Sequence, residues 1–158
     1  MKVKDCMTKN VVTVKRSTTL SELISIFSKH NFHTLPVVEG DNKIVGVITF
    51  EDIMKVFQPY NQQLAKMLAA MPFADRVNEE EDILLADISS EMGILVIVDD
   101  LMNTHFVTVD PDMSINEARS LMKTHDAQRL PVQEKGVLVG IISLFDIILS
   151  VFKQNGVI

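Results

Sequence analysis

Residues 35–57, LPVVEGDNKIVGVITFEDIMKVF, decide the fold because the chain contains this stretch twice. The second copy is residues 130–152, LPVQEKGVLVGIISLFDIILSVF. In each copy, β-branched residues on both sides of a polar turn give way to apolar residues at helical spacing. This change of period predicts a β-hairpin followed directly by a helix.

The repetition extends upstream of the hairpins. Residues 5–14, DCMTKNVVTV, match residues 100–109, DLMNTHFVTV, 95 positions later. Each match ends in an alternation that predicts a short strand. A capping box then begins a helix in each copy, with Thr19 and Glu22 in the first and Ser114 and Glu117 in the second. Each copy therefore predicts the order strand, helix, strand, strand, helix.

We predict an α/β (α+β) fold of two β-α-β-β-α repeats, at 1–57 and 100–158, joined by a linker at 58–99. Neither copy has enough apolar residues to close a core alone, so both are expected to form one globular module about a pseudo-twofold axis, with two clefts. Within the linker, a helix is predicted at 62–71, an acidic helix start at 79–82, and a strand or buried segment at 94–98.

Composition excludes several classes of function. The net charge of −6 over 158 residues argues against nucleic acid as the main partner. The longest apolar run, residues 94–98, is far shorter than the roughly 20 residues that span a bilayer, so no membrane association is expected. The single cysteine, Cys6, forms no intramolecular disulfide and fits a reducing, cytoplasmic setting.

One motif occurs in both copies at the junction of hairpin and helix. Residues 46–52, GVITFED, and 140–146, GIISLFD, share a glycine, two apolar residues, Thr or Ser, two further residues and Asp. One interpretation is purely structural, because Thr or Ser three residues before an acid is also a capping box. The other is a nucleotide site, in which the helix N-terminus attracts phosphate and the carboxylate accepts hydrogen bonds from ribose hydroxyls.

Residues just before each hairpin add to the second interpretation. His33 and Thr34 precede the first hairpin, and Gln128 and Arg129 precede the second. The Arg129 guanidinium is suited to binding phosphate oxygens.

The sequence contains no recognisable catalytic or metal set. No Ser, His and Asp combination or glycine-rich phosphate loop stands out, so we do not expect an enzyme or a catalytic cofactor. His30 and His33 lie one helical turn apart, but no third ligand stands at a telling spacing, so no metal is expected.

The D-x-M-T, LPVV and G-x-x-T/S-x-x-D pattern resembles the tandem cystathionine β-synthase (CBS) domain pair, or Bateman module. The resemblance covers the whole chain except the linker. It implies binding of AMP, ADP, ATP or S-adenosylmethionine and regulation of an unidentified partner protein. It also implies a homodimer, with the helices at 50–57 and 144–152 as the candidate interface.

The resemblance also implies roles for particular residues. Asp52 and Asp146 would hold ribose hydroxyls. Thr49 and Ser143 would bind near ribose or phosphate, and Val12 and Val107 would line the adenine slots. Arg129 would join Asp52 in one cleft, and His33 and Thr34 would join Asp146 in the other.

One alternative from a different class stays open at this point. Both motifs would then be capping boxes only, and the chain would be a ligand-free dimerisation or protein-interaction module.

Overall fold

The computed structural model describes residues 1–31, 33–56 and 90–158. In chain order its elements are α1 (Val3–Cys6), α2 (Leu20–Lys29), β1 (Thr34–Glu39), β2 (Lys43–Thr49), α3 (Phe50–Val56), α4 (Ser90–Leu95), α5 (Val98–Leu101), α6 (Ile115–Thr124), β3 (Arg129–Glu134), β4 (Val137–Ser143) and α7 (Leu144–Gln154). The predicted hairpins, and the helices before and after each, are confirmed. The predicted linker helix at 62–71 and acidic start at 79–82 lie outside the described residues.

Two predicted strands are reduced to single bridges. Val14 forms one parallel bridge with Val37, and Val109 forms one with Val132. The predicted alternation around residues 12–14 is too short to sustain a ladder, so each segment touches its hairpin at one residue pair and turns away.

At 94–98 the sequence left a strand and a buried segment open; the strand is wrong, and burial holds for Val96 and Val98 only. Ile94 and Leu95 lie in α4 and are 65% and 45% exposed, whereas Val96 and Val98 are fully buried. A five-residue apolar run cannot by itself distinguish a strand from a helix end.

The chain divides into two compact units that interleave the repeats. The first unit contains Met1–Val14, Pro36–Val47 and Asn103–Ile158. The second contains Lys15–Leu35 and the described residues of Ile48–Met102. Each unit is therefore built from parts of both copies.

The leading segments, residues 1–7 and 96–102, are exchanged between the copies. In the first unit, Val3 N donates to Met113 O at 2.9 Å and Ile115 N donates to Met1 O at 3.3 Å, so the first leading segment lies against the start of α6. Val3 is fully buried there, in the core beneath α6 and α7.

The second unit repeats this arrangement with the partners reversed. Val98 N donates to Thr18 O at 2.8 Å, and Leu20 N donates to Val96 O at 2.8 Å. The second leading segment therefore lies against the start of α2. Each copy supplies a segment of the core that the other copy encloses.

The four strands form one sheet in the order β1-β2-β4-β3. The hairpins meet where Lys43 pairs with Val137 in antiparallel register. Leu138 N donates to Asn42 O at 2.9 Å, and Ile44 N donates to Gly136 O at 3.1 Å. The turns of the two hairpins are therefore hydrogen-bonded to each other. In the described part of the chain, none of the helices has the length and apolar character needed to cross a membrane.

The core of the first unit is wholly apolar. The cluster beneath α6 and α7 contains the buried residues Val3, Val109, Ile115, Ala118, Met122, Leu130, Val132, Ile142 and Ile147. Since β4 and the first turn of α7 are both anchored there, the junction between them is held in place.

Candidate ligand-binding motifs at the strand–helix junctions

The Asp146 motif lies in the first unit, where β4 ends at Ser143 and α7 begins. Asp146 Oδ2 accepts hydrogen bonds from Ser143 N at 2.8 Å and from Ser143 Oγ at 2.6 Å. Ser143 Oγ in turn accepts from Asp146 N at 3.1 Å. The motif is thus a closed capping box that uses one carboxylate oxygen and leaves Oδ1 outside the cap.

Strand β3 brings a guanidinium to the same junction. Arg129 is paired directly with Ser143 in the antiparallel register of β3 and β4. Leu144 N donates to Gln128 O at 2.9 Å, which fixes the start of β3 beside the start of α7. Directly paired residues of an antiparallel ladder share a face, so Arg129 and Ser143 stand on the same side of the sheet.

The first leading segment also reaches α7. The half-buried Cys6 thiol has a raised pKa, chiefly because burial disfavours the thiolate. A hydrogen bond with Ser150 opposes this shift, and the nearby Asp146 charge adds to it. Cys6 is therefore packed as a neutral thiol close to the Asp146 motif.

The Asp52 motif lies in the second unit and has the same geometry. Asp52 Oδ2 accepts from Thr49 N and from Thr49 Oγ1, both at 2.9 Å, and Thr49 Oγ1 accepts from Asp52 N at 3.2 Å. The side chain of Asp52 is 18% exposed. Its carboxylate is therefore largely shielded from solvent.

Residues before the first hairpin adjoin this motif. Phe50 N donates to His33 O at 2.9 Å, as Leu144 N does to Gln128 O in the other copy. The rings of His33 and Phe50 are perpendicular, with centroids 6.2 Å apart. Thr34 begins β1 where Arg129 begins β3.

One feature of the Asp52 motif was missed by the sequence analysis. Lys55 Nζ lies 3.8 Å from Asp52 Oδ1, the oxygen that the cap does not use. The i, i+3 spacing of an acid and a lysine on one helix was the available signal. The second copy has Leu149 at the corresponding position.

The predicted site residues fall into two groups. The second unit contains Thr49, Asp52, His33 and Thr34, whereas the first contains Ser143, Asp146, Arg129, Val12 and Val107. The predicted pairing of Arg129 with Asp52, and of His33 and Thr34 with Asp146, joins residues of different units and stays a prediction. Val12 and Val107 are both half-buried.

The same cap occurs at two helices outside the motifs. Thr19 with Glu22 caps α2, and Ser114 with Glu117 caps α6, with the same pattern of reciprocal bonds. Hydrogen bonds from Ser114 lower the pKa of Glu117. A capping box alone therefore does not distinguish a ligand site, and these two boxes provide matched controls for the motifs.

Comparison with known proteins identifies the family. The CBS domain family matches residues 3–59 and 98–153, so the chain belongs to this family and carries two CBS domains in tandem. The uncharacterized protein MJ1426 of Methanocaldococcus jannaschii is 32% identical over 155 residues, which cover 94% of this chain and 89% of that protein.

Solved structures share the fold. CBSX2, solved in complex with AMP, has a TM-score of 0.72 and 20% identity, over 98% of each chain. The CBS domain pair of protein MJ0100, solved with 5′-methylthioadenosine and S-adenosyl-L-methionine, has a TM-score of 0.67 and 22% identity, over 98% of each chain. At these identities the likeness concerns the fold.

The described residues contain no group of three or more His, Cys, Asp and Glu side chains placed to hold a metal ion. The chemistry available at the two junctions is hydrogen bonding by a carboxylate, a hydroxyl and main-chain groups, with a cationic side chain nearby. This combination suits binding of a polyhydroxylated anion.

Proposed function

We propose that this chain is a regulatory module that binds an adenosine-containing ligand, with AMP, ADP, ATP and S-adenosylmethionine as the candidates. The observation that carries the proposal is the duplicated junction. Each copy presents a carboxylate whose Oδ2 is committed to the cap while Oδ1 is outside it. A fixed carboxylate of this kind accepts hydrogen bonds from vicinal ribose hydroxyls.

The helix that follows each junction supports the binding of phosphate. Leu144 N and Asp146 N, in the first turn of α7, already donate to Gln128 O and Ser143 Oγ. The support for phosphate therefore comes from the helix dipole, which favours an anion at this end. Arg129, paired with Ser143 at the same junction, adds a charge suited to phosphate oxygens.

Structures of the same fold support the class of ligand. CBSX2 was solved with AMP, and the MJ0100 pair was solved with 5′-methylthioadenosine and S-adenosyl-L-methionine. All three compounds contain an adenosine moiety, which the two carboxylates are placed to bind in our proposal.

Regulation would pass through a partner protein or through a rearranged homodimer in the cytoplasm. The helix faces of α3 and α7 are the surfaces for dimerisation. Phe50 and Met54 on α3 are 42% and 43% exposed, and Phe145 on α7 is 68% exposed. Apolar side chains on one helix face are typical of protein contacts.

The ligand-free interaction module remains the second candidate, and the same apolar faces favour it. In this alternative the motifs contribute only caps to the stability of α3 and α7. Replacing Asp52 with alanine would then cost about 1 kcal/mol of unfolding free energy and alter no ligand response.

Calorimetric titration of nucleotide-stripped protein with the four candidate ligands tests the proposal. We expect saturable binding that Asp52→Ala abolishes at one site and Asp146→Ala abolishes at the other. Because these substitutions also remove a cap, Glu22→Ala in the second unit and Glu117→Ala in the first are the controls. Each control removes an equivalent cap and should leave binding intact.

The outcomes separate the two candidates. Loss of binding in the aspartate variants but not in the glutamate variants assigns each site. Absence of binding for all four ligands, in protein shown to be folded, contradicts the proposal and favours the interaction module.

A further inference from the structure

Helix α6 has an open groove along its exposed side, with a volume of about 430 Å³. The described lining of this α6 groove is Asn116, Glu117, Ser120, Leu121 and Thr124. Because these residues repeat at intervals of four, they form one face of the helix. None of them belongs to the two junction motifs, so the groove is a separate feature of the first unit.

In the other repeat, the equivalent helix is covered by a second helix. Helix α2 corresponds to α6, and α4 packs against α2. A Cβ atom on Gly93 of α4 would lie only 3.3 Å from Ser21 Cβ on α2. Ser21 is the second residue of α2, as Asn116 is the second residue of α6. The position that meets α4 in one repeat therefore lines the groove in the other.

Main-chain hydrogen bonds give the two helices the same neighbours. Leu20 N donates at 2.8 Å to the carbonyl oxygen of Val96, the residue directly after α4. Ile115 N donates to Met1 O at 3.3 Å, so Met1 is the counterpart of Val96. Positions corresponding to α4 thus precede residue 1, and no helix among the described residues takes its place on α6. The α6 groove is therefore the counterpart of a helix-binding surface.

Crowding and charge define the kind of helix that the groove accepts. At 3.3 Å, two Cβ atoms are closer than ordinary carbon–carbon contact, so a helix bound in this way needs glycine opposite Asn116. Among the described lining residues, Glu117 carries a charge and is exposed. Hydrogen bonds from Ser114 lower the pKa of Glu117, which keeps it ionised at neutral pH. A cationic helix therefore complements the groove.

We propose that the α6 groove is a docking site for a short helix of a partner protein, bound as α2 binds α4. The partner helix carries a glycine at the contact and a lysine or arginine three or four residues from it, on the same face. This surface is separate from the apolar faces of α3 and α7. The inference does not depend on the adenosine ligand, and its test requires no nucleotide.

The probe is a synthetic peptide with the sequence of residues 86–97, ADISSEMGILVI, carrying Ser90→Lys. Residue 90 lies three positions before Gly93 and shares its face in a helix. A hydrocarbon staple between positions 91 and 95 holds the peptide helical. Both positions lie two residues from Gly93, so the staple is on the opposite face.

Amide NMR spectra of the full chain report where the peptide binds. We expect saturable shifts for Asn116, Ser120 and Thr124, with a dissociation constant on the order of 1 mM because one short helix buries little surface. The amide of Ser21 should not shift in the same way, because α4 already covers that part of α2.

Changes in the peptide test the two recognition elements. Gly93→Leu should weaken binding at least about tenfold, because the larger residue prevents close approach of the helices. The peptide with Ser90 unchanged should bind about twofold to fivefold more weakly at low salt, the range of an exposed ion pair. Glu117→Gln in the protein should remove this difference, since glutamine retains the capping box without the charge.

Variants of the protein locate the docking site. Ser120→Trp and Thr124→Trp each place a bulky side chain in the groove at an exposed position, and each should weaken binding at least about tenfold. Lys123→Trp, at an exposed position of the same helix that does not line the groove, is the matched control. It should bind the peptide as wild type does. Circular dichroism verifies that each variant is folded.

Three results would overturn the proposal. The first is the absence of shifts on α6 at peptide concentrations up to about 5 mM, in folded protein. The second is a set of shifts around Ser21 instead, because the peptide would then be replacing α4 on α2. The third is equal binding by the groove variants and Lys123→Trp, which would place the contact outside the groove.

Discussion

Gly140 marks a close approach between the first leading segment and β4. A Cβ atom at this position would lie 2.7 Å from Met7 Sδ and 3.0 Å from the carbonyl oxygen of Thr8. The approach is fixed by main-chain bonds, since Thr8 and Ile141 each donate to the other's carbonyl at 2.9 Å. The glycine in the G-x-x-S-x-x-D motif is therefore needed by packing, whatever the aspartate binds.

Gly140→Ala should destabilise the protein by about 1–3 kcal/mol, the usual cost of overpacking a site that cannot expand. Denaturant unfolding followed by circular dichroism measures the change. In a double-mutant cycle, Met7→Ala should recover part of the lost stability. It removes the contact of the new Cβ with Met7 Sδ, whereas the contact with the Thr8 carbonyl oxygen remains. Wild-type stability of Gly140→Ala would contradict this account of the motif.

The chemical identity of the site residues was accessible from sequence, but their partners were not. The repeated spacing of Thr49 with Asp52 and of Ser143 with Asp146 predicted both caps. The pairing of Arg129 with Ser143 depends on the register of β3 against β4, which the residue pattern did not specify. The contact of Lys55 with Asp52 was visible as an i, i+3 pair and was overlooked.

At the scale of single elements, α7 has an unusually apolar outer face. Phe145, Ile148 and Phe152 are 68%, 46% and 45% exposed. The position of Phe145 is occupied by Glu51 in the first copy, so the second copy bears the more apolar face. This difference makes α7 the better test of the proposed homodimer.

Phe145→Glu, which copies the residue of the first repeat, should shift the homodimer toward monomer. Burial of one phenylalanine contributes about 1.5–3 kcal/mol, and a twofold interface contains it twice, so the dissociation constant should rise at least about tenfold. Light scattering across a dilution series measures this. Ile94→Glu, at a 65% exposed site on α4, is the control. Equal masses for both variants and wild type would contradict an interface at α7.

The first leading segment is tethered to the turn before α6 by charge. Asp112 Oδ1 accepts from Lys4 Nζ at 2.7 Å and from Lys2 Nζ at 2.9 Å. These hydrogen bonds lower the pKa of Asp112 from 3.8 to about 2, and the bond from Lys4 has the largest effect. All three groups are exposed, so the tether is sensitive to salt.

Because the pKa of Asp112 is lowered on folding, its stabilising effect is present above pH 3.8 and is lost as the pH falls through about 2. Asp112→Asn should therefore be less stable than wild type near neutral pH and equal to it at the acid end. Unfolding midpoints measured between about pH 2 and pH 7 test this. Asp41→Asn, in the turn between β1 and β2, serves as the control. A constant difference across the whole range would argue against the tether.

Helices were predicted correctly where apolar residues at helical spacing followed a capping box. Short segments without either signal were predicted poorly. Helices α2 and α6, for example, begin directly after the capping boxes predicted for them. At 94–98 no cap or period was available, and hydrophobicity alone suggested burial of Ile94 and Leu95, which are exposed. Main-chain pairing with the start of α2, which lies far away in sequence, decides the path of this segment.

At the scale of the whole molecule, the repeat predicted two copies of one plan but not the exchange of their leading segments. The exchange depends on main-chain bonds such as Val3 N to Met113 O and Val98 N to Thr18 O. Such bonds connect backbone groups and carry no side-chain signature. The correspondence of Val3 with Val98 in sequence is consistent with either an exchanged or a local arrangement.

The exchange predicts that a chain cut once between residues 57 and 89 will hold together. The fragments on the two sides of the cut each contribute to both compact units. We expect a specific protease site inserted there to yield two fragments that elute together on gel filtration and separate only in denaturant. A control cut between residues 14 and 15 should destabilise the protein far more, because it frees the segment that contains the buried Val3. Separate elution of fragments after the first cut would contradict the exchange.

The exchanged segments also bear on how such a chain could arise. In a polypeptide with only one repeat, the leading segment would have no helix start to pack against. The start of its own helix would likewise lack a leading segment. Two such polypeptides could form a dimer by exchanging their leading segments, with the same main-chain pairings that Val3 and Val98 make here. Gene duplication and fusion would then have joined two already interlocked molecules, preserved every pairing, and left each copy free to diverge, as Lys55 and Leu149 have done.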